Sequence, residues 1–342
     1  MDNFSANNMK TEQVDRLVQK YAHQQKLSKA AQYELQLAVK ENPNNFINDE
    51  EEQAFAEYMQ TIQTYQTEIS KEIESDKDFF SNRMNLINML HSKLTALNEK
   101  PALLHTSINL EAQRILAQLS NDHPAAILDE LLSLKKEFDP LLRPQLIKAI
   151  ATYDDAWTCA SAHPLLRLYA QIAQTALDCA CFKLAEKTCR DLLSLSPSDL
   201  LGARFTLALT LSRLEDENGL NELDEQSGYR TNAWMRLAFT VLFFKLNRMS
   251  AAKRALKGFT SLGEGAAYAL LRPSFVDLYI PTRVDFKPDS FAENVIAVHE
   301  AETIIADIPE FIPWVESIPE ITENAKKYAF KAGLDWWEEN EE

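Results

Sequence analysis

The chain has 342 residues, 46% of them hydrophobic and 25% charged, which is an ordinary globular composition. A formal net charge of −16 argues against non-specific nucleic-acid binding and against docking on anionic membranes, since both depend on Lys and Arg. No apolar run is long enough to predict a membrane span, and the polar start, Met1–Lys10, lacks the core of a signal peptide. We expect a cytoplasmic protein whose partners are proteins, peptides or small molecules.

Glycine placement predicts an all-α fold. The chain has seven glycines, and the first is Gly202. Sheet-rich folds need glycine for tight turns throughout, whereas helices joined by polar or proline-marked turns do not.

Residues 1–152 are predicted to form an N-terminal helical region. Apolar residues recur at helical spacing from Val14 to Ala22, and Ser28 can cap a second helix that ends before Pro43. A long helix is predicted from Asp49 to Glu74 by an apolar seam that alternates between three and four residues. Further helices are predicted over 78–97, 108–119, 124–137 and 141–152, with a break at Asp139-Pro140.

Two further regions follow. Residues 153–272 are predicted to form repeats, with helices over 164–179, 183–195, 200–214, 218–226, 231–246 and 249–260. Residues 273–342 contain a Pro-rich segment, predicted to be extended at 279–283, then capping helices over 290–306 and 320–337 and an acidic tail.

A spacing typical of tetratricopeptide repeats occurs twice. In such a helix pair the second helix carries a small residue, a bulky one four later, an apolar one three later and proline five beyond. The two matches are Ala185, Cys189, Leu192 and Pro197, and Ala31, Leu35, Ala38 and Pro43. Because a single pair cannot bury its apolar face, neighbouring pairs are expected to stack into an α-solenoid.

The stretch from about His163 to Trp314 resembles a family of uncharacterised bacterial tetratricopeptide-like proteins. That family's Leu-x-Pro-x-Asp and Gly-x-Arg-aromatic signatures are matched by 195–199 and 202–205, and its Ala-Trp by Ala233-Trp234. A later extended segment and a closing helix with Pro and Trp are matched by 279–281, 286–290 and 309–314. The family's Asn-Pro dipeptide is replaced here by 263–266. The resemblance implies a scaffold without assigned catalytic residues.

No pattern of catalysis or of cofactor binding stands out. The glycines at 258 and 263 have the separation of a phosphate-binding loop, but Glu264 stands where that loop needs lysine, so we predict an interhelical turn. The cysteines, Cys159, Cys179, Cys181 and Cys189, are interpreted as reduced thiols, because the spacing around Cys179 and Cys181 does not suit a zinc site. We expect neither an enzyme nor a bound metal or cofactor.

Arginines on the predicted first helices are candidate partner-binding residues. Arg167, Arg204 and Arg236 fall early in successive first helices, and Gln171 and Gln174 lie beside the first of them. One hypothesis is that they line a concave groove and bind carboxylates of an acidic peptide. The other is that they pair with nearby acidic residues of this chain.

Trp336 and Trp337 form a second candidate surface beside the acidic tail. Exposed aromatics mark contact sites, whereas buried ones would pack the last helix onto the repeats. A further alternative is that the tail fills the groove of the same or a second copy, giving autoinhibition or a homo-oligomer. The preferred function is a protein-binding scaffold or adaptor; a peptide-responsive regulator and an enzyme of unrecognised type are the alternatives.

Overall fold

The computed structural model describes residues 9–72, 79–120, 123–228, 232–273 and 283–336, and these ranges contain helices and no β-strand. The predicted all-α class is therefore confirmed for the described residues. Their seventeen α-helices are α1 (Met9–Gln25), α2 (Lys29–Glu41), α3 (Glu50–Glu72), α4 (Phe79–Asn98), α5 (Ser107–Ser120), α6 (Pro124–Tyr153), α7 (His163–Asp178), α8 (Phe182–Leu195), α9 (Ala203–Arg213), α10 (Glu217–Gln226), α11 (Ala233–Lys245), α12 (Met249–Thr260), α13 (Ala266–Leu271), α14 (Phe291–Glu300), α15 (Glu302–Ala306), α16 (Phe311–Glu316) and α17 (Pro319–Ala332). Among these helices, none has the length and apolarity needed to cross a membrane.

The predicted break at Asp139-Pro140 is wrong, because α6 continues through both Pro140 and Pro144. A proline inside a helix removes one backbone hydrogen bond and disfavours helix continuation. Here the apolar residues on either side of the prolines, including Phe138, Leu142 and Leu146, stay on one face and are buried in the core. Tertiary burial therefore outweighs the local cost of the prolines.

The C-terminal region differs from the prediction in its boundaries. The predicted helix over 290–306 is divided at Ala301 into α14 and α15, and α13 and α16 are additional short helices. Helix α17 ends at Ala332 because Gly333 takes a left-handed conformation with φ of 67°. Of the segment predicted to be extended, residues 279–282 lie outside the described residues, and so does the acidic tail.

Consecutive helices pack against each other as pairs, including α5 with α6, α7 with α8, α9 with α10 and α11 with α12. The first helices of these pairs also contact each other in sequence, from α5 to α7, α9 and α11. The second helices α6 and α8 pack against the first helix of the following pair. Helix α14 then packs on α11, and α13 packs on α14 and α17.

Three hydrophobic cores hold these helices together. The largest runs from α5 to α17, a second joins α3, α4 and α5, and a small one lies between α1 and α2. Helix α5 belongs to two of them, because Leu110 and Ala117 face the large core while Ile108 and Ile115 face the second. This helix therefore fixes the N-terminal helices to the paired helices that follow.

Candidate functional site

A polar cavity of about 410 Å³ lies between the first helices α5, α7 and α9 on one side and α14 and α15 on the other. Its apolar lining residues are Pro124, Ala170, Ala173, Leu201 and Ala203. Its polar lining residues are Arg83, Arg114, Gln118, Arg167, Gln171, Gln174, Thr175, Asp178, Thr206, Arg283, His299, Glu300, Glu302 and Thr303. Three of the residues singled out from the sequence, Arg167, Gln171 and Gln174, are among them.

Helical spacing explains which residues of α7 reach the cavity. Arg167, Gln171, Gln174 and Asp178 are separated by four, three and four residues, so they lie on one face of the helix. The remaining faces carry Leu, Ile and Ala residues that enter the large core. The amphipathic pattern of one helix therefore produces both the core contact and the polar wall.

The floor of the cavity beside α7 is a buried ionic network. Arg167 Nη1 donates to Glu111 Oε1 at 3.0 Å and to Glu12 Oε1 at 3.1 Å, and its Nη2 also bonds Glu12. Arg114 Nη2 donates to Glu111 Oε2 at 2.7 Å, and Tyr58 donates to the same oxygen at 3.0 Å. These side chains come from α1, α3, α5 and α7, so the network connects four helices.

The charges in this network are compensated internally. Burial opposes ionisation of Glu12, but the charges and hydrogen bonds of Arg167 and His163 together outweigh it, so the pKa of Glu12 is lowered. The same balance, with Arg114 and Arg167 as cations, lowers the pKa of Glu111. Of the two hypotheses for Arg167, the geometry agrees with pairing inside this chain, because both terminal nitrogens bind carboxylates of Glu12 and Glu111.

The opposite wall contains a second buried ion pair. Arg283 Nε donates to Glu300 Oε1 at 2.6 Å, and its Nη2 donates to Glu300 Oε2 at 2.9 Å. The guanidinium also lies 5.1 Å and 5.5 Å from the ring centroids of Phe205 and Trp234, which stack on each other at 4.2 Å. Trp234 Nε1 completes the arrangement by donating to Glu300 Oε2 at 2.7 Å.

Several residues that carry the family resemblance meet at this ion pair. Asp199 accepts hydrogen bonds from the backbone N–H groups of Ala203 and Arg204 at the start of α9. Gly202 has φ of 69°, and its carbonyl accepts from Arg283 Nη1 at 3.2 Å. With Phe205 and Trp234 around the same guanidinium, these positions hold the C-terminal segment against α9 and α11.

Asp178 is the cavity carboxylate without a cationic partner among the described residues. Water reaches it through the cavity, but protein surrounds it on most sides, and this burial raises its pKa to about 7. Glu300 and Glu302 add to the rise, whereas a hydrogen bond from Gln174 Nε2 at 3.3 Å opposes it. The group therefore changes its charge close to neutral pH.

Arg204 and Arg236 are not among the residues that line this cavity beside Arg167. Arg204 follows the cavity residue Ala203 directly, and one residue turns the side chain by about 100° around a helix. It folds back onto Asp199 at 3.3 Å and onto the Pro197 carbonyl at 3.1 Å. Arg236 lies against Gly258 of α12, near Asp224 of α10.

Trp336 is half-buried and packs at the far side of α13. Its ring centroid lies 6.5 Å from that of Tyr268 and 4.4 Å from the Arg272 guanidinium. This placement agrees with the interpretation that it packs the last helix onto the large core. Trp337 lies outside the described residues.

The other sequence motifs are structural in the described residues. Cys189 is fully buried, as the core interpretation predicts, and burial raises the pKa of its thiol well above the ordinary range. Gly258 lies inside α12, and Gly263 and Gly265 lie in the turn before α13, which confirms an interhelical turn. No group of three or more His, Cys, Asp or Glu side chains in the described ranges is arranged to hold a metal ion.

Sequence reasoning missed Glu12, Glu111, Arg114, Arg283 and Glu300. One signal was present in α5, where Glu111 and Arg114 stand three residues apart among apolar residues such as Leu110, Ala112 and Ile115. Such a charge pair on a face that must be buried indicates an internal ion pair. Arg283 and Glu300 gave no comparable local signal.

Comparison with protein-family models, with curated proteins and with solved structures gives no match. The fold and the cavity by themselves therefore define the class: an all-helical protein of packed helix pairs with a polar cavity between its first helices and its C-terminal segment.

Asp178→Asn is expected to raise the free energy of unfolding more at pH 8 than at pH 6. The folded carboxyl has a pKa of about 7 against an ordinary value of 3.8, so the folded state holds its proton more tightly than the unfolded state. The contribution of this group to stability therefore falls as the pH rises between these values, and asparagine removes that loss. Urea unfolding at both pH values measures it.

Asp191→Asn, at an exposed position of α8, is the matched control and should show no such pH-dependent gain. An equal gain for Asp178→Asn at pH 6 and pH 8 would contradict the prediction.

Proposed function

We propose that the chain is a tetratricopeptide-like α-solenoid that serves as a protein-interaction scaffold or adaptor and binds a peptide of a partner protein in the polar cavity. The observation that carries this proposal is the position of the cavity: it is formed by the successive first helices α5, α7 and α9. In helical-repeat proteins that row of helices forms the concave binding surface.

The packing order supports the solenoid. Each first helix from α5 to α11 contacts the next, and α6 and α8 also contact the first helix of the following pair. Small residues are buried on both helices of one pair, with Ala176 on α7 and Ala185 on α8 fully buried. Side chains of this size let two helices approach closely, as the repeat requires.

The chemistry of the α7 wall supports a peptide ligand. Gln118, Gln171 and Gln174 are half-buried, and an amide side chain offers both donors and an acceptor. Peptide main chains present the same complement of groups, so amides can bind a main chain of any sequence. The cavity volume is suited to one or two residues rather than to a folded domain.

A peptide-responsive regulator is the second candidate, and one observation favours it. Gln171 accepts a hydrogen bond from Arg114 at 2.7 Å, and Arg114 shares Glu111 with Arg167, which binds Glu12 of α1. A ligand that moves Gln171 would therefore act on a network that reaches the N-terminal helices.

We also propose a cytoplasmic location, which the four free thiols suit.

Ala170→Trp is expected to weaken peptide binding by at least about tenfold, a loss of about 1.4 kcal/mol. Ala170 is half-buried on the cavity wall, so an indole at this position fills the space that a ligand would take. Peptides would be selected from a displayed random library on the wild-type protein, and their dissociation constants measured by fluorescence anisotropy.

Ala251→Trp is the matched control, because Ala251 is also half-buried but lies on α12 away from the cavity. Selected peptides that bind Ala170→Trp as tightly as wild type would refute the cavity as the binding site. A library that yields no binder would refute the proposed function itself.

A further inference from the structure

We infer that the cavity accepts a cationic side chain, the guanidinium or ammonium group of a partner's Arg or Lys, and that Asp178 is its counter-ion. This inference rests on the proposed function and names the ligand chemistry of the same site. The inferred ligand is cationic, whereas the arginines of the sequence had suggested an acidic peptide.

The buried cations of the cavity already have carboxylate partners in this chain. Arg114 and Arg167 share Glu111, Arg167 also binds Glu12, and Arg283 forms a two-point pair with Glu300. Three buried guanidinium groups are thus balanced by three buried carboxylates. An acidic ligand would have to displace one of these carboxylates, and an unpaired buried charge is strongly destabilising.

Two arginine nitrogens lack an acceptor, but they do not create an anion site. The Nε atoms of Arg114 and Arg167 have no hydrogen-bond partner in the part of the chain that the structure describes, and both are inaccessible to solvent. A ligand in the cavity therefore cannot reach them without a rearrangement of the floor.

Asp178 differs from the other carboxylates of the cavity. Glu300 binds Arg283, whereas Asp178 receives one long hydrogen bond from the neutral Gln174. The exposed Glu302 at the rim adds a second negative charge, and its Oε2 lies 3.7 Å from His299 Nδ1. A carboxylate that accepts a single long hydrogen bond, beside a second carboxylate at the rim, is complementary to a cation that donates several hydrogen bonds.

The surroundings of Asp178 determine how binding depends on pH. From α14 and α15 it faces Glu300 and Glu302, with His299 at the same rim; Arg83 of α4 lines the cavity as well. The neighbouring thiol of Cys179 has a pKa raised to about 11 by burial and stays neutral between pH 6 and pH 8. Asp178 itself, with a pKa of about 7, loses its proton in this interval.

Bound cation and bound proton therefore compete for Asp178. A cation stabilises the ionised carboxylate, so its binding strengthens as the pH rises from 6 to 8 and releases a proton at the lower pH. Binding of a neutral ligand would not depend on the ionisation of Asp178. Binding of an acidic ligand would weaken, rather than strengthen, as the pH rises.

The experiment compares N-acetylarginine amide, N-acetylnorleucine amide and N-acetylglutamate amide with the full chain by ligand-observed NMR at millimolar concentration. At pH 8 the arginine compound is expected to bind at least tenfold more tightly than the norleucine compound. Its dissociation constant should rise several-fold at pH 6. Asp178→Asn should remove both the preference and the pH dependence, and Asp191→Asn should keep both.

Equal binding of the norleucine compound, tighter binding of the glutamate compound, a preference that survives Asp178→Asn, or no binding of the arginine compound would each overturn the inference. These outcomes are distinct from failure of the proposed function. If library peptides bind and are lost in Ala170→Trp but do not depend on Asp178, the peptide site stands and the cationic ligand does not.

Discussion

Arg167→Met should lower the free energy of unfolding by about 3–5 kcal/mol, because it leaves Glu12 without its main counter-ion in the protein interior. Arg167 is almost fully buried and binds Glu12 and Glu111 from two other helices. Methionine retains much of the apolar volume, so the change tests the charge rather than a cavity. Urea unfolding at pH 7, followed by circular dichroism, gives the value.

The pH dependence of this variant has a definite sign. The pKa of Glu12 lies below its ordinary 4.5, so the stability it contributes is present above that value and is lost as the pH falls through the folded pKa. Without Arg167, burial should raise the pKa of Glu12 instead, and protonation then relieves the unpaired charge. The difference between wild type and variant should therefore be smaller at pH 4 than at pH 7.

Two controls separate the buried network from a general effect of losing arginine. Arg190→Met removes an exposed arginine of α8 that pairs with Glu186, and such surface pairs contribute only about 0–1 kcal/mol. The double variant Glu12→Gln, Arg167→Met should be more stable than Arg167→Met, because the amide removes the unpaired negative charge of Glu12. The other carboxylate, Glu111, keeps Arg114 as its partner in both variants. A loss for Arg167→Met no larger than for Arg190→Met would show that the network does not stabilise the fold.

Gly202→Ala should cost roughly 2–4 kcal/mol and detach the C-terminal segment from α9. The left-handed backbone at Gly202, with φ of 69°, costs a residue with a Cβ about 1–2 kcal/mol. In addition, that Cβ would stand 2.1 Å from Arg283 Nη1, so the guanidinium must leave its position between the Gly202 carbonyl and Glu300. Urea unfolding measures the stability, and limited proteolysis near residue 283 measures the detachment.

Gly228→Ala is the matched control for this variant. Gly228 has nearly the same conformation, with φ of 66°, but no atom of the described residues lies within 4 Å of an added Cβ. It should lose only the backbone cost and should leave the proteolysis pattern unchanged. Equal losses for the two alanines would mean that the Arg283 contact contributes nothing.

The local part of the fold followed from the sequence. The apolar spacing and the N-caps predicted most helices within a few residues, for example the cap of α2 by Ser28, which accepts a hydrogen bond from the Ala31 backbone N–H. Pro140 was misleading, because its local cost is outweighed by Phe138 and Leu142 in the core. A boundary that depends on such a balance needs the tertiary contacts.

The candidate site was predicted in part, and the errors have a geometric cause. Arg167, Arg204 and Arg236 were grouped because each lies early in a first helix, but helical phase separates them. The residues of α9 that line the cavity are Ala203 and Thr206, and Arg204 lies between these two positions on another face. Register within each helix, rather than spacing between repeats, determines which side chain reaches the cavity.

By itself, the sequence determined that this chain is helical and which face of each helix is apolar, since both depend on residues a few positions apart. The tertiary structure alone decided which charges are satisfied. Arg167 finds Glu12 and Glu111 at separations of 155 and 56 residues, and Arg283 finds the carbonyl of Gly202 at a separation of 81. No periodicity encodes such pairings, because they arise only when distant helices are brought together and each buried charge must meet a partner.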